Sequence, residues 1–393
     1  MQSLHWHRVK LVVEQALGCP RAARAAFVAQ ACGDDDGVRT EVESLLEMAD
    51  DDDFLETPAS LPPAPALPER IGQRFGAYRL ERQLGRGGMG EVYLAARDDE
   101  LLPARREQVV LKMPRQDLDT PEMRRRLEHE GRLLGRLHHP GIALLRGSGR
   151  ARTLPFLMLE YVDGIAIDAW CRRHAIGVLQ RIDLVIALCD AVAHAHERGV
   201  VHRDIKAGNV LVTAEGRPKL LDFGIAQPLN ADEMEPGMPS FGRQHGVRGA
   251  TRDAIRREES DSAAFTGECA APEQVRNQPS TTATDVHGLA GLAYRLLTGQ
   301  TPHDSSTHTT VVDTMRAICH EDPLLASVRV RRSGCAPEPG LLPPDRMASL
   351  LHGDVDALLA AALSRDPQCR PRDALSLNRA FVRCRRTVAQ RLA

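Results

Sequence analysis

No long hydrophobic run occurs anywhere in this chain. The longest uninterrupted apolar stretch, Ala357–Leu363, has seven residues, whereas a membrane helix needs about 20. No membrane span is expected. The N-terminus lacks a basic start followed by an apolar block, so no secretory leader is expected either. Nine cysteines are scattered without a single C-x-x-C pair. That spacing excludes a disulfide framework and a zinc site, and it fits a reducing cytoplasm. Charge of one sign is also lacking. The formal net charge is −2, which gives no reason to expect a nucleic-acid partner. There are no internal repeats. What remains is ordinary globular composition, 42% hydrophobic and 26% charged, with enough apolar residues for a full core. A length of 393 residues suits two or three domains or one large two-lobed one.

The pattern changes along the chain. Residues 1–56 read as a small helical unit. Trp6, Val9, Val13 and Leu17 share one helical face, closed by Gly18 and Pro20. Phe27, Val28 and Ala31 mark a second, short helix. Asp34–Asp36 can cap a third through Val38, Val42, Leu45 and Leu46. Five prolines (Pro58, Pro62, Pro63, Pro65, Pro68) then predict a semi-rigid linker over 57–75. From about 78 short β-like runs dominate, and from about 176 helices do. Leu179, Ile182, Val185, Ile186, Cys189, Val192 and His196 form one stripe that Gly199 stops. Strands followed by helices predict an α+β, two-lobed domain over 76–385, with lobes at 76–160 and 161–385. Residues 228–263 and 323–347 are expected to be loops within it.

The most informative segment is His202-Arg203-Asp204-Ile205-Lys206-Ala207-Gly208-Asn209, with Asp222-Phe223-Gly224 thirteen residues after Asn209. Two carboxylates, an amide and a lysine stand at fixed spacing between short β-like runs. Phosphoryl transfer needs such groups: one carboxylate to receive a hydroxyl proton, a second carboxylate and an amide to hold Mg2+, and a cation near the moving charge. Leu84-Gly85-Arg86-Gly87-Gly88-Met89-Gly90-Glu91-Val92 is a glycine loop between β-like runs. Glycines let backbone N–H groups approach phosphate oxygens. A dinucleotide-binding loop of the same spelling would open a helix; here the chain runs on as Val92-Tyr93-Leu94, which reads as strand. Leu127, Glu130, Leu134 and Leu137 lie on one helical stripe, so Glu130 is a carboxylate among apolar neighbours. It requires a partner, and Lys112, ending Val109-Val110-Leu111-Lys112, is the natural one.

These motifs, in this order, resemble the protein kinase superfamily over about residues 76–382, and bacterial Hanks-type serine/threonine kinases in particular. The resemblance implies a five-stranded lobe over a helical one, with ATP and Mg2+ between them. It makes Asp204 the catalytic base, Lys206 the cation at the moving phosphoryl group, and Asn209 and Asp222 the Mg2+ ligands. It sets Lys112, held by Glu130, against the ATP phosphates. Phe156–Gly164 resembles the strand and hinge between lobes, with Glu160 and Val162 meeting the adenine edge and Leu159 guarding the inner pocket. Leu84, Gly85, Gly87, Gly88, Gly90, Val92, Val110 and Leu211 complete the implied ATP site. Thr266 resembles a support of the catalytic loop, as do Asp285 and a Glu273–Arg370 pair.

The resemblance implies protein substrates with serine or threonine hydroxyls, and the lack of a membrane span together with the scattered cysteines makes a cytoplasmic location the expectation. The resemblance also implies autophosphorylation within 240–266 (Ser240, Thr251, Ser260, Ser262, Thr266), in trans within a homodimer. Several positions depart from the family pattern: Ala207-Gly208 replaces a Pro-Ser pair after Lys206, and the stretch from Gly224 to Ala271 is unusually long. Val110 replaces a small alanine in the pocket roof, and Cys269 and Phe265 replace a tyrosine and a glycine near the docking loop. An ATP-sensing scaffold with little turnover, or a small-molecule phosphotransferase, is the competing expectation.

Overall fold

The computed structural model describes residues 21–33, 70–86, 90–98, 107–115, 120–151, 154–223, 269–276, 278–303, 311–332 and 337–393, with isolated positions nearer the N-terminus. The chain divides into two compact units, Met1–Glu69 and Arg70–Ala393.

In the first unit α1 spans Arg21–Cys32. Val28 and Cys32, one helical turn apart, are buried with Val12, Ala16 and Val42, and Phe27 and Ala31 pack against them. The second helix is therefore longer than its three apolar markers suggest. The Trp6, Val9, Val13 and Leu17 stripe lies outside the described residues, as do Val38, Leu45, Leu46 and residues 57–69.

The second unit opens with β1 (Arg74–Phe75), β2 (Tyr78–Arg86), β3 (Gly90–Arg97), β4 (Gln108–Pro114), α2 (Pro121–Leu134), β5 (Leu145–Ala151) and β6 (Leu154–Glu160). The strands form one antiparallel sheet in the order β1-β2-β3-β4-β6-β5. The sequence resemblance implies five of them. The sixth, β1, is a two-residue hairpin partner of β2, turned through Gly76 at φ 62°. Thr120 caps α2 by accepting from the Met123 N–H, and Pro121 occupies the first turn, where its missing N–H costs nothing. Gly131 faces the sheet. A Cβ there would lie 2.6 Å from the Leu157 side chain, so the glycine lets α2 come close to β6.

A small sheet, β7 (Gly164–Ala166), β8 (Val210–Thr213) and β9 (Pro218–Leu220), follows the hinge. The helices are α3 (Ile167–Arg173), α4 (Val178–Glu197), α5 (Pro272–Val275), α6 (Thr282–Thr298), α7 (Val311–His320), α8 (Ala326–Arg332), α9 (Pro344–Leu351), α10 (Asp354–Ala362) and α11 (Ala374–Leu392). Ile182, Leu188, Val192, Leu289, Leu292, Leu377 and Phe381 bury the joint core of α4, α6 and α11. α4 stops just before Gly199, whose φ is 71°. The expected α+β fold of a β-rich lobe and a helical lobe is present.

One expectation changes. Residues 323–347 are not simply loop: they hold all of α8 and the start of α9. Ala326 and Val330 are buried on α8, and Pro344 sits in the first turn of α9, where proline starts a helix instead of breaking it. Arg70, Phe75 and Val388, all outside 76–385, are also buried in the second unit. The 228–263 stretch lies outside the described residues. Among the described residues, no helix is long and apolar enough to cross a membrane.

Candidate active site

β4 carries Lys112, and α2 carries Glu130 at 1% exposure. Lys112 Nζ lies 2.8 Å from Glu130 Oε1 and 3.2 Å from Asp222 Oδ1. Burial alone would lower the Lys112 pKa. The carboxylates of Asp222 and Glu130 outweigh it and hold the ammonium above the ordinary lysine value. The same ammonium holds the Asp222 carboxyl below the ordinary range, while burial pushes Glu130 up. Lys112 and Asp222 therefore remain ionised at neutral pH, and one cation bridges three distant stretches of sequence.

The catalytic-loop candidates lie between α4 and β8. Lys206 Nζ is 3.0 Å from Asp204 Oδ2. Asn209 Nδ2 donates to both Asp204 O and Asp204 Oδ2 at 2.8 Å. The loop is fixed from beneath by α6. Asp285, 1% exposed, accepts from the His202 N–H at 2.7 Å and the Arg203 N–H at 2.8 Å. It also bonds the His196 ring at 2.8 Å. Arg203 needs that support because its φ is 71°, in the left-handed region where a side chain is strained. His202 is fully buried. Its Nε2 donates to Leu221 O at 2.8 Å and its Nδ1 accepts from the Asp204 N–H at 3.2 Å. Burial lowers its pKa, so a neutral imidazole joins the loop before Asp204 to the residue before Asp222.

A cavity of about 390 Å3 opens between the lobes. Leu84, Gly85, Val92 and Val110 line it from the sheet, and Leu159, Glu160 and Val162 from the hinge. Leu211, Asn209 and Asp222 close the far side. Val110 pairs with Leu159 across β4 and β6. The structure thus brings together the described candidates, including Gly90, which lies on β3 opposite Pro114 and against the Lys112 side chain; Gly87 and Gly88 lie outside the described residues with Gly224 and Thr266. Among the described residues β3 begins at Gly90, so the glycine stretch leads into strand, not helix. A larger cavity of about 650 Å3 lies against α2, β5 and β6 and contains none of these residues.

Sequence reasoning missed Lys219. Its Nζ bonds both Glu160 oxygens, at 2.6 and 2.8 Å, and so ties the hinge to β9 three residues before Asp222. A lysine within the apolar Pro218–Leu221 run was the available signal. Gln274 was missed as well; its amide donates to Arg203 O at 2.6 Å. Glu273 pairs with Arg370 through bonds of 2.7 and 2.8 Å, and Thr284 Oγ1 donates to Glu273 at 2.9 Å.

Next to that pair, burial and then the Arg370 charge pull the His287 imidazole down to about 3. The unfolded chain takes up this proton near the ordinary imidazole value of about 6.5. Stability from His287 is therefore complete above about 6.5 and is lost as pH falls toward about 3, by at most about 1.4 kcal/mol per pH unit. Urea midpoints should fall between pH 7.5 and 5, with a shallower fall in His287→Gln.

This two-lobed arrangement is the fold of kinase domains. It matches the crystal structure of a mutant form of the Mycobacterium tuberculosis PknI kinase domain, with a TM-score of 0.51 and 24% identity over 81% of this chain and 99% of that one. The protein kinase domain profile matches residues 78–381, and the chain belongs to that family. It is 28% identical over 241 residues to the probable serine/threonine-protein kinase PknB of Lactococcus lactis subsp. lactis, covering 61% of this chain and 34% of that one. It is 29% identical over 314 residues to serine/threonine-protein kinase PknB of Mycobacterium tuberculosis, covering 78% and 42%. The chain thus spans about a third to two fifths of the length of these relatives.

Proposed function

We propose that this chain is an ATP- and Mg2+-dependent protein serine/threonine kinase. The observation that carries the reading is the Lys112 ammonium held between Glu130 and Asp222, the latter lining the cleft between the lobes. Adenine would lie in the cavity between Val92, Val110 and Leu211, its polar edge at the backbone of Glu160 and Val162. Gly85, Gly87, Gly88 and Gly90 would let backbone N–H groups reach the phosphates, under Leu84. Lys112 would meet those phosphates from β4.

The residues fit a divalent cation. Asn209 Nδ2 bonds Asp204 twice, which turns its amide nitrogen inward and leaves the amide oxygen as acceptor. An ionised Asp222 carboxylate and an amide oxygen are the hard donors Mg2+ prefers. Bound Mg2+ would neutralise and orient phosphate oxygens. Asp204 orients the substrate hydroxyl and receives its proton as the γ-phosphoryl group leaves ADP for that oxygen. Lys206, 3.0 Å from Asp204, would neutralise the charge on the moving phosphoryl group.

Domain organisation follows the same reading with its boundaries moved outward: a helical unit over 1–56, a linker over 57–69 and a kinase domain from Arg70 through α11. Autophosphorylation within 240–266, in trans between two copies, would place phosphate near Arg203. Its partners are protein substrates and ATP, without nucleic acid, in the cytoplasm. Incubation with γ-labelled ATP, alone and with a generic protein, followed by phosphoamino-acid analysis, tests the reading. Labelled phosphoserine or phosphothreonine is expected. Absence of label from both would reject it.

Val110 favours a second reading, an ATP-sensing scaffold with little turnover, because its methyls stand in the cavity roof. Overpacking costs about 1–3 kcal/mol, so Val110→Ala should lower the KM for ATP at least about fivefold. An unchanged KM, with wild-type turnover, removes the support for the scaffold reading.

A further inference from the structure

Arg70 follows a proline-rich stretch, yet it is only 5% exposed. Its Nη1 donates to Pro114 O at 3.1 Å and lies 3.4 Å from Glu91 Oε2. Both contacts lie at the end of the sheet where β3 begins after the glycine stretch and β4 ends. Pro114 ends β4, two residues after Lys112, and Glu91 follows Gly90, the last glycine of the loop. In register, Gly90 lies opposite Pro114 and Arg86 opposite Glu91.

Glu91 is itself 6% exposed. The Tyr93 hydroxyl donates to its Oε2 at 3.2 Å, and Arg86 Nε lies 3.7 Å from its Oε1. Burial and the Glu91 charge push the Tyr93 hydroxyl up to about 12, so it stays a donor at neutral pH. A buried carboxylate is costly unless paired, which binds Glu91 and Arg70 to one arrangement. A glycine loop has few side chains of its own to hold it in place. Its position is therefore set by whatever fixes its ends.

We propose that Arg70 is a positioning residue for the nucleotide phosphates: one guanidinium fixes the return of the glycine loop through Glu91 and the end of the Lys112 strand through the Pro114 carbonyl. It makes this contribution without touching substrate. The inference rests on the ATP reading above.

The test uses the full chain and steady-state kinetics with ATP and a generic protein substrate, on Arg70→Gln, Arg70→Lys, Glu91→Gln and the double Arg70→Gln/Glu91→Gln. Arg70→Gln should raise the KM for ATP about tenfold, equivalent to about 1.4 kcal/mol, with kcat changed less than about twofold. Arg70→Lys, which keeps the charge, should recover part of that affinity. The double variant should be no worse than the poorer single one, because both act through one contact. A purely structural role would instead lower kcat and melting temperature with KM unchanged, and that result overturns the proposal. If Arg70→Gln melts below the assay temperature, Glu91→Gln decides, since it leaves the bond to Pro114 in place: a raised KM supports the proposal and a wild-type KM overturns it. A wild-type chain that binds ATP while Arg70→Gln binds it equally well rejects only this inference. A wild-type chain that binds no ATP rejects the ATP reading and, with it, any nucleotide for Arg70 to position.

Discussion

Asp204→Asn should lower phosphoryl transfer about 10²- to 10⁴-fold, the range for loss of a positioned general base. The substitution is nearly isosteric. Asn209 keeps its 2.8 Å bond to the backbone oxygen at 204, and His202 keeps its acceptor bond from the 204 N–H. The loop should therefore hold its shape while losing the group that takes the hydroxyl proton. ATP affinity should change by less than about twofold, because the Lys112–Glu130–Asp222 set is untouched. Initial rates with γ-labelled ATP, together with calorimetric titration of nucleotide, check both halves. A rate within about tenfold of wild type would remove Asp204 from the chemistry.

The second large effect concerns folding. Arg370→Ala should destabilise the second unit by about 3–5 kcal/mol, because removing one partner strands a buried charge. The guanidinium makes two bonds to Glu273 and one each to Ser364 O and Ala283 O. Glu273 is 5% exposed and cannot turn to water without unpacking. Glu273→Gln in the same chain should restore part of the loss, since it removes the stranded charge while keeping a group to accept from Thr284. Transfer activity should fall too, because the neighbouring Gln274 holds Arg203 O. Urea denaturation of the two variants against wild type is the measurement. A loss below about 1 kcal/mol would show that this pair is solvated in practice.

The ease of reading differed between these residues for physical reasons. Glu130 was legible because a carboxylate on an apolar stripe demands a partner, and the nearest preceding strand-end lysine was Lys112. The catalytic segment was legible because its chemistry is packed into few residues of fixed spacing. Arg70 was not: local composition assigned it to the linker, and its burial depends on Glu91 and Pro114, 21 and 44 residues away. The Lys219–Glu160 bond spans 59 residues and leaves no periodic trace. α8 and α9 were obscured by prolines that read as breakers, although one of them starts a helix. Supports of this kind arise from tertiary register, which no short window contains.

The packing of α11 has a consequence for synthesis. This helix contributes Leu377, Phe381 and Val388, all fully buried, and its Asn378 donates to Ile186 O, 192 residues earlier. The β-rich lobe is different: its strands pair mostly with near neighbours in sequence. During translation the sheet around Lys112 can therefore close early, when only local contacts are needed. α4 packs on both α6 and α11, so its apolar face stays partly uncovered until the ribosome has delivered α11. The β-rich lobe can thus be complete while the helical lobe still lacks its last helix, so α11 sets the moment at which the helical core closes.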